Sequence, residues 1–240
     1  MQAHRRPAAE HLILVSVDGL RPAHYLEATS PAPALRQLLL HGAHAVAVRS
    51  IFPSLTYPAH TTLATGALPA RHGILEDRSL EPVENPPWLT DASLIRVPAL
   101  WDAVRARGGT TAAVGWPVTI GAAIDWNVPD VWPGSEDRFI DAVRAATTPP
   151  GLLDEIEREA TGRLSAENYS NRLLSHDIRV ATMAAWLFDR YRPTLLLVHT
   201  QAIVQVPQEP DWRNPRRPRA VAASDQVVSL LLERIERANA

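Results

Sequence analysis

The run Leu12 to Val17 is almost continuously apolar and stops at Asp18-Gly19. That pattern suits a parallel strand buried on both faces better than a strand with one wet side. A chain that opens this way must cover both faces of a sheet with helices, and the segments that follow supply them. Pro33 to Leu40 predicts a helix stopped by Gly42, Ala45 to Val48 a second strand, Ser50 to Leu55 a loop, and Pro58 to Thr65 a helix ending at Gly66. Thr56 falls where strand passes into helix. Pro69 to Pro98 reads as irregular, Ala99 to Arg107 as a helix closed by Gly108, and Thr111 to Gly115 as a strand. The Trp-, Pro- and Gly-rich stretch Pro117 to Pro133 reads as an ordered surface loop, with helices following at Glu136 to Ala146 and Gly151 to Ala160. Residues 117–165 therefore form a candidate cap over a pocket, within one domain spanning 1–240. An amphipathic helix over Ser170 to Tyr191, a strand over Thr194 to His199 and a last helix over Ala220 to Arg237 keep the alternation going. The expected fold is α/β and doubly wound, with a mainly parallel sheet flanked by helices and ligands outside the carboxyl ends of its strands.

Composition narrows what such a fold can do. The 240 residues are 46% hydrophobic, enough to bury one sizeable core. A formal net charge of -2 leaves no global footprint for a nucleic acid polymer or an anionic membrane. All 24 basic residues are Arg, which removes lysine as a phosphate ligand or Schiff base. With no cysteine, any metal must be held by carboxylate, imidazole and hydroxyl groups. The first apolar run lacks a small-residue cleavage site, and nothing approaches the roughly 20 apolar residues of a membrane-spanning helix. A cytoplasmic location is the expectation.

Two residues stand out chemically. Asp18 follows the first strand, so its carboxylate would project at the ligand-binding edge as a metal ligand; the plainer alternative is that Asp-Gly simply makes a turn. Thr56, in Phe52-Pro53-Ser54-Leu55-Thr56-Tyr57-Pro58-Ala59-His60-Thr61-Thr62, puts a hydroxyl at a helix N-terminus whose free N–H groups suit a phosphate. Its plainer alternative is a helix cap.

Taken together, Ser16-Val17-Asp18-Gly19-Leu20-Arg21-Pro22, the Phe52 to Thr62 run, Thr65-Gly66 and Pro69-Ala70-Arg71-His72-Gly73-Ile74 resemble, in order, the type I phosphodiesterase/nucleotide pyrophosphatase family of the alkaline phosphatase superfamily. The likeness continues through Val97 to Trp101, Asp125 to Pro129 and Leu195 to His199. It implies hydrolysis of phosphate esters or nucleotide-like small molecules by a Thr or Ser nucleophile with two divalent ions, usually zinc. Asp18 and Thr56 would both touch one metal, and Thr56 would attack phosphorus.

The resemblance also implies an Asp-x-x-x-His segment after the Leu195 to Leu197 strand, and here the sequence departs. Val204 stands where the family has Asp, and Gln208 where it has His. Valine has no donor atom, and an amide binds zinc poorly. The family's Asp-His-Gly and distal His are absent from the 240 residues. The expectation is a partial domain of absent or much reduced activity, with an open sheet edge able to self-associate. The alternatives are the N-terminal part of a longer active hydrolase, or a metal-free phosphate- or nucleotide-binding module. Ala59 replaces an Asn that helps hold phosphoryl oxygens in many relatives by resemblance. Among the remaining candidates, His199 ends a strand at the active edge and serves either as ligand or as loop cap. His60 and His72 read as structural, His41 and His44 as exposed, and Trp116, Trp126 and Trp132 as packing or pocket residues. Arg213 to Arg219 reads as a solvated loop.

Overall fold

The computed structural model describes residues 9–170, 175–206 and 216–239. In chain order it contains β1 (Leu12–Val17), α1 (Ala23–Leu26), α2 (Pro33–His41), α3 (Thr56–Thr65), α4 (Pro69–His72), α5 (Leu100–Arg105), β2 (Thr111–Val114), β3 (Trp126–Val128), α6 (Phe139–Ala146), α7 (Leu152–Ile156), α8 (Ser175–Tyr191), β4 (Leu195–Thr200) and α9 (Arg216–Asn239). The strands pair in parallel in the order β1-β4-β2-β3, so the α/β expectation holds.

The period of two along each strand explains why the sheet needs cover on both sides. Ala112, Val114, Leu196 and Val198 face one way, into a core shared with Phe139 and Val143 of α6, Leu152 and Ile156 of α7, Val180 and Leu187 of α8, and Val227 and Leu231 of α9. Ala113, Leu195 and Leu197 face the other way, against Ala64 of α3, Trp101 of α5 and Trp116. The helices following Pro133 therefore pack in the same core as the central strands. β1 pairs only with β4 among the described strands. Beside its other edge lies an apolar groove of about 420 Å³, lined by Ile13, Val15, Leu35, Leu38, Val228 and Leu232 among others.

Two sequence readings are corrected. Ala45 to Val48 is not a strand: Val46 and Val48 stand 78% and 85% exposed. A strand in a parallel sheet needs both faces covered, and this stretch has no neighbour among the described residues to cover it. Conversely, Trp126 to Val128, inside the stretch read as a surface loop, is β3, paired with β2 from Ala112↔Trp126 to Val114↔Val128. No described helix is long and apolar enough to cross a membrane.

Two buried carboxylates pin the connections around the sheet. Asp225 on α9 accepts from the Ala34 and Leu35 backbone N–H groups at 3.1 and 2.8 Å, satisfying donors at the start of α2. Asp177 on α8 accepts from the N–H groups of Gln201 and Ala202, both at 3.0 Å, and from the Ser224 hydroxyl at 2.9 Å. Burial raises the Asp177 carboxyl's pKa, but the His176 imidazole 3.5 Å away and the backbone N–H groups of Gln201 and Ala202 carry it below its ordinary value. Asp177→Ala strands these buried donors without an acceptor. The expected cost is about 3 kcal/mol, read as a lower urea midpoint at unchanged m value.

Candidate active site

The carboxyl ends of β1, β4 and β2 form one edge of the sheet, and that edge carries the predicted site residues. Asp18 leaves β1 with its N–H donating to Thr200 O at 2.9 Å, which ties it to the end of β4. Gly19 then turns at φ +75°. A Cβ there would stand 3.3 Å from Ile203 Cγ2 and 3.4 Å from the Val204 nitrogen, a close fit, and the left-handed conformation is what favours glycine at this turn. Thr56 opens α3, and its hydroxyl donates to Asp18 Oδ2 at 3.0 Å. The two residues singled out from sequence thus meet across 38 positions of chain.

His199 comes from β4, directly opposite Ser16 of β1. Its Nδ1 donates to the Gly115 carbonyl at 2.9 Å, which fixes the ring. Gly115 sits at φ +67°, and a Cβ on it would lie 3.0 Å from His199 O. The other ring nitrogen, Nε2, is buried without a hydrogen bond and lies 3.9 Å from Asp18 Oδ2. That distance is an ion-pair contact, too long for a hydrogen bond. Burial opposes a charge on either partner, yet each supports the other: the imidazole is raised above its ordinary pKa and the Asp18 carboxyl is lowered.

Sequence reasoning missed much of the surroundings. His60, four residues along α3 from Thr56, donates from Nδ1 to Thr56 O at 2.6 Å. Its Nε2 bonds the Ser16 hydroxyl at 2.8 Å, and its ring lies 4.3 Å from that of His199. It works as a brace between α3 and β1, in keeping with a structural reading. Asp77 accepts the Tyr57 N–H at 2.7 Å, and Pro58 has no N–H to give. The start of α3 therefore offers a phosphate fewer donors than its position implied. Asp130, buried, accepts from Tyr57 Oη and Trp132 Nε1, each at 2.9 Å. Burial raises the carboxyls of both Asp77 and Asp130. These partners come from distant segments, so no local pattern announces them.

Trp132 stacks on Trp88 at 4.5 Å, and Trp88 in turn packs on Tyr57. Trp116 is buried core, and Trp126 stacks on Tyr191. His72 is buried, with Nε2 3.0 Å from the Thr62 hydroxyl, whereas His41 and His44 are exposed. Val204 lies in the turn after β4, against Gly19. Gln208 lies outside the described residues, as do residues 213–215, while Arg216 to Arg219 open α9. Among the described residues, no three Asp, Glu or His side chains converge as a metal-binding group. The potential donors gathered here are one carboxylate, one hydroxyl and one imidazole.

A helix start thus sets a threonine hydroxyl against a carboxylate at the strand ends, and comparison with known proteins supplies the family. The model of the type I phosphodiesterase / nucleotide pyrophosphatase family matches residues 12–240, and the chain belongs to that family. It is 29% identical over 121 residues to the human ectonucleotide pyrophosphatase/phosphodiesterase family member 5, covering 48% of this chain and 25% of that protein. It is 34% identical over 113 residues to a venom phosphodiesterase of Macrovipera lebetinus, covering 44% of this chain and 13% of that one. In fold it is similar to phosphonoacetate hydrolase of Sinorhizobium meliloti, with TM-score 0.68 and 23% identity over 93% of this chain and 53% of that one. It is also similar to murine ectonucleotide pyrophosphatase/phosphodiesterase 5, solved as an inactive threonine-to-alanine form with AMP, at TM-score 0.62 and 18% identity over 96% and 54%. The chain spans about half the length of these structures.

The His60 brace carries a pH signature. Burial, the largest cause, and the neighbouring His199 push its pKa from 6.5 to about 3. Its contribution to stability is complete above the unfolded value of 6.5 and is lost as pH falls toward 3, because the unfolded chain takes up a proton that the folded ring refuses. His60→Gln should unfold more easily at neutral pH yet lose stability less steeply on acidification, as measured by thermal unfolding across the acid range.

Proposed function

We propose that this chain is a phosphoric ester hydrolase domain acting on nucleotide-like or other phosphodiesters, with Thr56 as nucleophile. In the 240-residue form its turnover is strongly reduced. The observation that carries the reading is the 3.0 Å hydrogen bond from the Thr56 hydroxyl to Asp18 at the start of α3. Asp18 orients the hydroxyl and, kept ionised beside His199, is placed to receive its proton. The Thr56 oxygen then bonds to phosphorus as the bond to the leaving oxygen breaks, and water releases the phosphoryl group from Thr56 in a second step. Murine family member 5, inactive as a threonine-to-alanine form, supports the same role for a threonine in a relative.

A divalent cation, with zinc the candidate, fits this edge in part: Asp18 and Thr56 would hold it, and its chemistry would be to lower the hydroxyl pKa and offset phosphate charge. The need for positive charge follows from the carboxyls gathered at this edge, where Asp77 feels the charges of both Asp18 and Asp130. A phosphodiester anion approaching them meets repulsion unless a cation accompanies it. Reduced activity follows from Val204, which supplies no donor after β4.

The test is release of p-nitrophenol from bis-p-nitrophenyl phosphate and from a p-nitrophenyl nucleotide ester, with Zn²⁺ or with chelator. Slow, Zn²⁺-dependent turnover is expected, falling by roughly 10³-fold or more in Thr56→Ala. Turnover that survives Thr56→Ala removes that residue from the chemistry. A folded chain that neither cleaves nor binds these esters overturns the hydrolase reading.

A further inference from the structure

We propose that His199 joins Asp18 and Thr56 as the third protein ligand of a one-cation site, taking over a donor role that Val204 does not fill. The proposal rests on the reading of Asp18 and Thr56 as metal-binding residues and adds to it a ligand on β4 itself. Three observations carry it.

The first is the orphaned nitrogen. A carbonyl can only accept, so the Nδ1 contact to Gly115 O assigns the proton to Nδ1 and leaves the neutral ring's lone pair on Nε2. That atom is buried, has no hydrogen-bond partner and faces a carboxylate oxygen. A lone pair facing a carboxylate in a buried place calls for positive charge between them, which a proton on Nε2 supplies in the metal-free chain and a cation would supply in its place.

The second is the spacing. Nε2 and Asp18 Oδ2 are 3.9 Å apart, with no hydrogen bond between them. Two bonds of about 2.0–2.2 Å to a shared zinc-like ion reach across a gap of this size with their angle opened beyond tetrahedral. Thr56 Oγ1 lies 3.0 Å from the same Asp18 oxygen, so a third donor is already at hand.

The third is the bracing of the ring. A metal-bound histidine characteristically donates its other N–H to a carbonyl or carboxylate, which orients it, and Gly115 O fills that place here. The neighbouring His60 has both nitrogens engaged, by Thr56 O and Ser16 Oγ, and so packs beside the site without entering it.

The experiment is titration of the purified 240-residue chain with Co²⁺ and Zn²⁺, followed by calorimetry and by the visible absorption of bound Co²⁺. One ion per chain is expected, with an affinity lowered about 100-fold in His199→Gln. Because His199 is buried, a second readout needs no variant: Cd²⁺ bound to nitrogen-labelled wild-type chain should show direct coupling to His199 Nε2. Binding that is unchanged in folded His199→Gln, or Cd²⁺ bound without that coupling, overturns the His199 assignment while leaving a metal at Asp18 and Thr56. Absence of metal binding, with Thr56-dependent turnover persisting in chelator, overturns the cation site and leaves the hydrolase reading standing. In that case the gap is closed by a proton, as an Asp18–imidazolium pair.

Discussion

The parallel pairing of β1 with β4 is the constraint on which the rest depends. It sets Ser16 against His199 and Val17 against Thr200, and the Asp18 N–H closes the ladder on Thr200 O. In a sheet covered on both sides, a slip of one residue would exchange the apolar sets of the two faces, so the packing of Leu195 and Leu197 on one side and Leu196 and Val198 on the other specifies the register. The same register decides that Asp18 and His199 emerge at one edge. The remaining group, the Thr56 hydroxyl, arrives on a separate helix, and His60 links that helix to β1 through Ser16. Core packing and site geometry are consequences of one strand pairing.

The parts of this arrangement legible in sequence are those written locally. Leu12 to Val17 and Leu195 to His199 are long apolar runs, and Gly66, at φ +66°, ends α3 where a left-handed residue is wanted. Asp18 and Thr56 stood out because one follows such a run and the other begins a helix. β3 escaped notice because three residues among tryptophan, proline and glycine carry too little periodicity, and a central neighbour rather than its own pattern makes it a strand. Val46 and Val48 misled for the opposite reason, since β-branched residues favour a strand only where a sheet edge is there to receive them. Asp77 and Asp130 were illegible because their meaning lies in Tyr57, which is 20 and 73 positions away.

Replacement of the expected donor after β4 is easier to understand once the turn there is seen to have other supports. Its first two N–H groups belong to Asp177, and Ile203 and Val206 are buried with Ala202, Ala220 and Val221 in an apolar cluster against which Val17 of β1 packs. An acidic side chain at Val204 would matter to a metal, but the backbone of the turn does not rely on one to hold its course. The turn's shape and its ligand chemistry are therefore separable: the first is secured from α8 and the apolar cluster, the second by whatever side chains face the edge. His199 belongs to the strand rather than the turn, fixed by ladder pairing and by Gly115 O, so its position survives changes in the residues that follow it. A side chain on the rigid strand keeps its place whatever residue occupies the turn, so His199 stays at this edge although Val204 stands where an acidic residue was expected.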